Sequence, residues 1–335
     1  MKGKYPFPGL VTAFAAWLAM APALASDQPS VPGAPAPAET QEAGMPQDSA
    51  WYDTARDGVV DRMHRTVNWF DSFFGDPRAT ISTEANAYLQ VILDGFYSGV
   101  PDESDYRVRL RGGVDLPRFE NKLRLVITSD AEAAVTGEEL TGVEPDRFEE
   151  RDDSGGIGLR YLLRDDSRHH FALGGGLSGG LSPAINVAGR YVYTWPINKQ
   201  MVAHVAPTLY WNSDKGAGIS ALADYEYSSR PGNLWRYTLY GNYGEQTDGL
   251  EWSTQARWFQ KLNRKTAVSA LTGLRGQTEP TSIIREGWLA FRYRRNIWRP
   301  WLFVEAEPGL SWHEKVDYRT EPTFALRAEV QFYKR

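Results

Sequence analysis

The sequence predicts an all-β protein in which about fourteen antiparallel strands (range 12–16) form a transmembrane up-and-down β-barrel, preceded by an N-terminal amphipathic helix. Three observations lead to this prediction. Apolar and charged residues alternate over about 250 residues, the connections fall into two alternating classes, and tryptophans recur near the ends of the alternating segments. Most segments are about ten residues long, which is the length that a tilted strand needs to cross a bilayer.

Composition excludes several other classes of protein. The chain has 335 residues, with 37 Lys+Arg against 42 Asp+Glu and no cysteine. A net charge of −5 lacks the basic field on which nucleic-acid binding relies. The absence of cysteine excludes disulfides, thiolate metal sites and cysteine nucleophiles. We therefore predict no nucleic-acid partner, and no residue is assigned to a cofactor or a metal.

The N-terminus has the layout of a secretory signal peptide. A basic start precedes an apolar run from Leu10 to Met20, and Ala23 and Ala25 then form an A-x-A cleavage-type site. Residues 1–25 are therefore predicted to be a signal peptide, the alternative being a buried helix of a cytosolic domain. Residues 26–50 are rich in proline and alanine and contain no Lys or Arg, which predicts an extended linker.

Residues 51–76 predict an amphipathic helix on the periplasmic side. Asp48 or Ser49 can cap its start, and Gly75 followed by Pro77 ends it. Apolar residues recur at spacings of three and four. These are Trp51, Tyr52, Ala55, Val59, Met63, Val67, Phe70 and Phe74. This stripe is expected to pack on the main domain, with contact to a partner protein or a membrane surface as the alternatives.

From residue 79 to residue 335 the period is two, which is typical of strands. For example, Tyr106, Val108 and Leu110 alternate with arginines, so one face of the segment is apolar and the other charged. The predicted strands span residues 84–94, 105–114, 122–130, 155–163, 169–179, 184–194, 201–211, 217–227, 234–243, 250–260, 266–275, 283–294, 299–310 and 321–333.

The connections between these strands alternate between tight turns, which are basic or contain proline, and longer or more acidic loops. Such sorting describes a meander with one short-turn rim and one loop rim. Residues 131–153 are the most acidic loop, and we predict a solvated acidic face there. Binding of divalent cations that bridge lipopolysaccharide phosphates, or folding inward to narrow the mouth, are the alternatives.

Tryptophans near the strand ends predict an aromatic girdle at the level of the lipid headgroups. An aromatic core of a soluble β-domain is the alternative. The predicted girdle residues are Trp195, Trp211, Trp235, Trp258, Trp298 and Trp312.

The charged face of the strands is predicted to line a watered lumen, because burying so many ions in a dry core would cost several kcal/mol per ion. Cross-strand ion pairs that brace and partly close the barrel are the alternative. The predicted lumen-lining residues are Arg107, Arg109, Arg111, Arg124, Arg160, Arg190, Asp224, Glu226, Arg236, Glu251, Arg257, Glu286, Arg292, Glu305 and Glu307.

With its signal peptide, its strands from Glu84 onward and its last strand from Phe324 to Phe332, the chain resembles the porin-like outer-membrane β-barrel proteins of Gram-negative bacteria. This resemblance implies an outer-membrane location, with the helix and the C-terminus in the periplasm. It also implies contact with outer-membrane lipids and lipopolysaccharide. Phe332 matches the aromatic signal that the barrel-insertion machinery reads in that class, although three residues follow it here.

The predicted function is a narrow channel for small hydrophilic solutes. The alternative is a non-conducting envelope adaptor or export component, in which the helix plugs the barrel or residues 51–74 bind a periplasmic protein. A barrel-embedded lipid-modifying enzyme is the weakest hypothesis. None of the five histidines belongs to a recognisable Ser–His pattern, so we predict no enzyme activity and no catalytic residue.

Overall fold

The computed structural model describes residues 66–74 apart from 68 and 72, then 87–101, 104–116, 122–129, 135, 155–166, 168–179 and 183–334. The chain divides into two units, Met1–Asp48 and Ser49–Arg335, and all described residues belong to the second. The predicted signal peptide, the linker and the first part of the predicted helix lie outside the described residues.

Fourteen strands are present in the described part of the chain. They are β1 (Ala87–Ser98), β2 (Asp105–Asp115), β3 (Leu123–Thr128), β4 (Gly156–Asp165), β5 (His169–Ser178), β6 (Ala184–Asn198), β7 (Met201–Asn212), β8 (Gly216–Tyr227), β9 (Asn233–Gly244), β10 (Glu251–Asn263), β11 (Thr266–Gln277), β12 (Ile283–Asn296), β13 (Leu302–His313) and β14 (Thr320–Lys334).

Each strand pairs antiparallel with its neighbours in sequence, and β1 pairs with β14 to close the barrel. Val91 of β1, for example, lies opposite Leu110 of β2 on one side and Val330 of β14 on the other. The predicted closed antiparallel barrel of fourteen strands is thereby confirmed. Closure leaves no strand edge unpaired, which is the condition for a sheet to span a bilayer.

Side chains alternate between an exposed apolar face and a buried polar face. In β12, the outward-facing Leu289 and Phe291 are 47% and 45% exposed. The inward-facing Arg292 and Arg294 of the same strand are 1% and 0% exposed. This is the reverse of a soluble domain, in which arginines are exposed and leucines buried. The apolar surface therefore faces outward around the barrel, and the charged side chains face inward.

All fourteen predicted segments are strands, including the weak segment 169–179, which forms β5. The boundaries differ by a few residues. β1 runs to Ser98 rather than residue 94, and β6 and β14 reach 15 residues each. Strand ends depend on how far the cross-strand hydrogen bonds continue, and the alternation of residues in one segment does not predict that extent.

The connections at one end of the barrel, the short-turn end, are residues 116–122, 166–168, 199–200, 228–232, 264–265 and 297–301. Those at the other end, the loop end, are 99–104, 129–155, 179–183, 213–215, 245–250, 278–282 and 314–319, the last of which contains a short 3-10 helix, Glu314–Val316. Length alone separates the ends only partly, because 213–215 is as tight as the short turns. No helix among the described residues has the length and apolarity to cross a membrane.

Candidate functional site in the barrel lumen

A helix lies inside the barrel at the short-turn end. Residues 66, 67, 69–71, 73 and 74 are its described part, and we refer to them as the lumen helix. Its side chains Val67, Phe70, Phe73 and Phe74 are all buried. They form one cluster with inward-facing residues near the short-turn ends of five strands, namely Val202, Leu234, Phe259, Ala267 and Phe303. The helix thus fills this end of the lumen.

Aromatic contacts hold the lumen helix against the barrel wall. Phe70 and Phe74 each place their ring centroids 5.3 Å from that of Phe259, and Phe73 lies 5.5 Å from Phe303 at right angles. Such pairs contribute about 0.5–1.5 kcal/mol each beyond their area burial. The sequence predicted that the apolar stripe packs on the main domain, and in the described part it packs on the inner wall. A partner protein therefore cannot use Phe70 or Phe74 while the helix is in place.

A buried ionic anchor joins the same helix to β9. Arg236 Nη2 lies 2.7 Å from Asp71 Oδ1 and 2.5 Å from Glu226 Oε1. All three side chains are at most 5% exposed. Sequence reasoning identified Arg236 and Glu226 but missed Asp71. The available signal was that Asp71 is a carboxylate four residues after Val67, within the apolar stripe itself.

His204 adds a polar contact beside this anchor. Its Nδ1 lies 3.0 Å from Thr194 Oγ1, and its Nε2 lies 3.7 Å from Glu226 Oε2. A threonine, a histidine and a glutamate are the residue types of a hydrolytic triad. The histidine-to-glutamate distance exceeds a hydrogen bond, however, and Arg236 already binds this carboxylate. The arrangement braces the wall and does not have triad geometry.

A network of ion pairs covers the inner face of the barrel wall from β12 to β14. Arg292 lies 3.1 Å from Glu305 and also contacts Glu307. Arg294 lies 3.3 Å from Glu305 and 2.7 Å from Glu329. These side chains are at most 3% exposed. The cross-strand ion pairs that the sequence left as an alternative are therefore present on this wall.

The network continues across the closure of the barrel. Arg327 on β14 lies 2.8 Å from Glu305 and also contacts Asp94 on β1, which in turn lies 2.6 Å from Arg109 on β2. Cross-strand pairs of this kind fix the register of β14 against β1, at the junction where the first and last strands meet.

The wall formed by β1–β4 is more accessible than the ion-paired wall formed by β12–β14. The side chains of Arg107, Arg109 and Arg124 are 25%, 17% and 21% exposed, and Arg111 and Arg160 are half-buried. Arg107 pairs with Asp105, and Arg124 lies 2.5 Å from Asp115. Among the described residues, this half of the lumen is therefore partly open and rich in arginine.

The other predicted lumen residues also lie on the inner face. Arg190 donates to Thr208 Oγ1 at 3.3 Å, and Asp224 accepts from Thr238. The Cζ atom of Arg257 lies 5.4 Å from the ring centroid of Phe259. Glu251 accepts from Asn242 Nδ2 at 3.2 Å, and Glu286 lies 2.9 Å from Arg275. All fifteen predicted residues are buried or half-buried, on the face opposite to the exposed apolar side chains.

One residue of the acidic loop 131–153 is described, and it packs against the inner wall of the barrel. Val135 is 3% exposed and packs with Ala188 and Tyr210 on the inner wall. A Cβ atom at Gly174 or Gly176 would overlap with Val135, so glycine at these positions leaves room for the loop. The predicted acidic face of the loop lies outside the described residues.

The tryptophans predicted as a girdle lie at both ends of the barrel. Trp195, Trp235, Trp258 and Trp298 are near the short-turn end, and Trp211 and Trp312 are near the loop end. Four of the six are clearly exposed, with Trp298 at 81%. Trp258 and Trp312 are half-buried. Phe332 is 49% exposed and stacks on Trp301 at 5.8 Å, and its role in insertion stays a prediction.

Within the described residues, no group of three or more His, Asp or Glu side chains is arranged to hold a metal ion.

The chain matches no model of a known protein family and no curated protein. Several solved structures of barrel proteins are similar at low identity. A loop L8 deletion mutant of OmpT, an outer membrane protein of Vibrio cholerae, is 12% identical with a TM-score of 0.48, over 74% of this chain and 99% of that one. CdiB from Acinetobacter baumannii is 9% identical with a TM-score of 0.48, over 74% and 60%. The KdgM porin in complex with disordered oligogalacturonate is 5% identical with a TM-score of 0.36, over 72% and 99%.

Proposed function

We propose that this protein spans a Gram-negative outer membrane and is a narrow channel for small hydrophilic solutes, closed at its short-turn end by the lumen helix. The observation that carries the proposal is the contrast between the two faces of β2. Tyr106 and Val108 are 88% and 68% exposed on the outside, while the Arg107 and Arg109 side chains keep 25% and 17% exposure inside. An apolar exterior favours lipid, and partly accessible charge inside favours water.

The width of the path follows from what already occupies the lumen. The ion-pair network covers the wall from β12 to β14, the lumen helix fills the short-turn end, and Val135 packs on the wall formed by β6 and β7. The remaining space borders the arginine-rich wall of β1–β4. We therefore expect the path to admit small solutes, and charged side chains that have lost part of their hydration favour polar solutes over apolar ones.

Single-channel recording in planar bilayers tests this function. The full-length protein should show small or rare conductance steps, and a variant lacking residues 27–78 should show steps several times larger, because the deletion removes the lumen helix. Heat-modifiable migration on gels checks that both forms are folded barrels. If both the full-length protein and the variant insert into the bilayer but do not conduct, the channel function would be contradicted and the adaptor hypothesis favoured.

We also expect the open channel to prefer anions. The inner face of β1–β4 carries five arginines, Arg107, Arg109, Arg111, Arg124 and Arg160, against three aspartates, Asp94, Asp105 and Asp115. The net positive charge of this wall should attract anions to the open side of the lumen.

The reversal potential of the variant lacking residues 27–78 in a KCl gradient measures this preference, with an expected chloride-to-potassium permeability ratio above one. Changing Arg111→Gln together with Arg160→Gln equalises the charges on this wall, so the ratio should fall toward one. Arg164→Gln, at the exposed end of β4, should leave the ratio unchanged. A ratio below one in the unsubstituted wall would contradict the anion preference without contradicting conduction.

A further inference from the structure

The two ends of the barrel differ in exposed charge. At the short-turn end, the described turns and the strand ends that they join expose nine basic side chains. They are Lys122, Arg164, Arg168, Lys199, Arg230, Arg264, Lys265, Arg295 and Arg299, and we refer to them as the basic rim. Among the same described residues one carboxylate, Asp166, is exposed. The described connections at the loop end expose five acids, Asp214, Glu245, Asp248, Glu279 and Asp317, against three basic residues, Lys215, Lys315 and Arg319.

The exposed carboxylate of the rim is itself engaged. Asp166 Oδ1 accepts from the backbone N–H of Arg168 at 3.0 Å, and Arg164 Nε donates to Asp166 Oδ2 at 2.7 Å. The N–H of Arg168 and the guanidinium of Arg164 lower the pKa of Asp166 to about 2. This carboxylate therefore stays ionised at neutral pH and offsets one neighbouring arginine, so the rest of the basic rim keeps its positive charge.

Aromatic side chains lie next to the basic rim on the outer face. Trp195 and Trp235 are 58% and 51% exposed there, and Trp301 stacks on Phe332. Exposed tryptophans at such a position mark the level of lipid headgroups. Basic side chains directly beyond that level lie where lipid phosphates are found.

The turn between β12 and β13 combines an exposed tryptophan and a basic side chain in one strained backbone conformation. Trp298 has φ 54°, a left-handed backbone that bulky residues seldom adopt, and it is 81% exposed. The Arg299 guanidinium lies 5.5 Å from its ring centroid. Asn296 Nδ2 holds this turn by donating to the carbonyl oxygens of Arg299 and Leu302 at 2.9 and 3.0 Å. Residues in such strained conformations cluster at functional sites, and this one presents an indole and a guanidinium side by side.

We infer that the basic rim binds the phosphate groups of anionic phospholipids in the leaflet that faces the short turns. The inference rests on the membrane-spanning position proposed above. Arg and Lys side chains supply charge-assisted hydrogen bonds to phosphate oxygens, and the neighbouring tryptophans bury their rings at the glycerol level. Zwitterionic lipids carry a compensating ammonium group, so they should bind the rim more weakly than phosphatidylglycerol.

Native mass spectrometry of the full-length protein from nanodiscs tests this inference. The nanodiscs contain phosphatidylglycerol and phosphatidylcholine in equal amounts, and retained lipids are counted by head group. The rim variant R264Q/K265Q/R295Q removes three adjacent basic side chains. The matched control K215Q/K315Q/R319Q removes three from the loop end. We expect the rim variant to bind phosphatidylglycerol about tenfold more weakly than the unchanged protein, and the control to bind it normally.

Several outcomes would contradict either this inference or the function on which it rests. Unchanged phosphatidylglycerol binding in the rim variant, or an equal loss in the control, would overturn the inference. Retention of lipopolysaccharide in place of phosphatidylglycerol at the rim, tested by adding it to the nanodiscs, would also overturn it. A protein that does not enter nanodiscs and stays in solution without detergent would instead contradict the proposed function.

Discussion

Replacing Arg236 by methionine is expected to destabilise the protein by about 3–5 kcal/mol, which is the usual cost of removing one partner from a buried ion pair. In the native protein this guanidinium lies between Asp71 and Glu226, all three being nearly inaccessible. Without it, two carboxylates would face each other in a region that water reaches poorly. The lumen helix carries one of them, so it should leave the lumen more readily and conductance should rise.

Urea unfolding of the barrel in vesicles, followed by gel mobility, measures the change in unfolding free energy, and planar bilayers measure the conductance. Arg164→Met is the matched control. It breaks an arginine–aspartate pair whose side chains are 60% and 42% exposed, so it should leave the unfolding free energy almost unchanged.

A triple variant separates charge from packing at the same place. Combining Arg236→Met with Asp71→Asn and Glu226→Gln removes the two carboxylate charges together with the guanidinium. This variant should recover much of the lost stability, because no uncompensated charge remains at the anchor. An R236M protein as stable as the unchanged protein, or a triple variant no better than R236M, would show that the anchor is not electrostatic.

Phe70→Ala is expected to release the lumen helix by removing its most buried side chain. Phe70 is 0% exposed and packs on Phe259 and Phe74. Truncating a buried phenylalanine to alanine costs about 3–5 kcal/mol. Losing this contact energy should weaken the packing of the lumen helix on the barrel wall, so the open fraction of the channel should increase strongly, toward the behaviour of the form lacking residues 27–78.

Single-channel open probability measures this effect. Phe291→Ala is the control, because Phe291 is 45% exposed on the outer face of β12 and does not touch the lumen. It should change the stability in lipid without changing the conductance. A Phe70→Ala protein with the open probability of the unchanged protein would mean that the helix is not the barrier to conduction.

The sequence by itself predicted the barrel because its evidence is local. In β2, and in β14 from Leu326 to Phe332, apolar residues alternate with charged or polar ones, and a period of two can be seen within a single segment. The same alternation separated the arginines of the inner face from the leucines and aromatics of the outer face. The amphipathic helix was predicted in the same way, from spacings of three and four, and its described part is residues 66–74 apart from 68 and 72.

Only the tertiary structure decided which inner side chains meet. Arg236 and Asp71 are 165 residues apart, and Gln90 and Glu329 are 239 residues apart. Closure of β1 on β14, and the position of a helix within the closed barrel, bring these groups together. The period of a single segment predicts neither the closure nor the position of the helix. Alternation shows which face of the strand a residue occupies, but it does not show which residues of other elements it contacts. The sequence therefore predicted a charged inner face, and the structure determined which of its charged groups pair with each other.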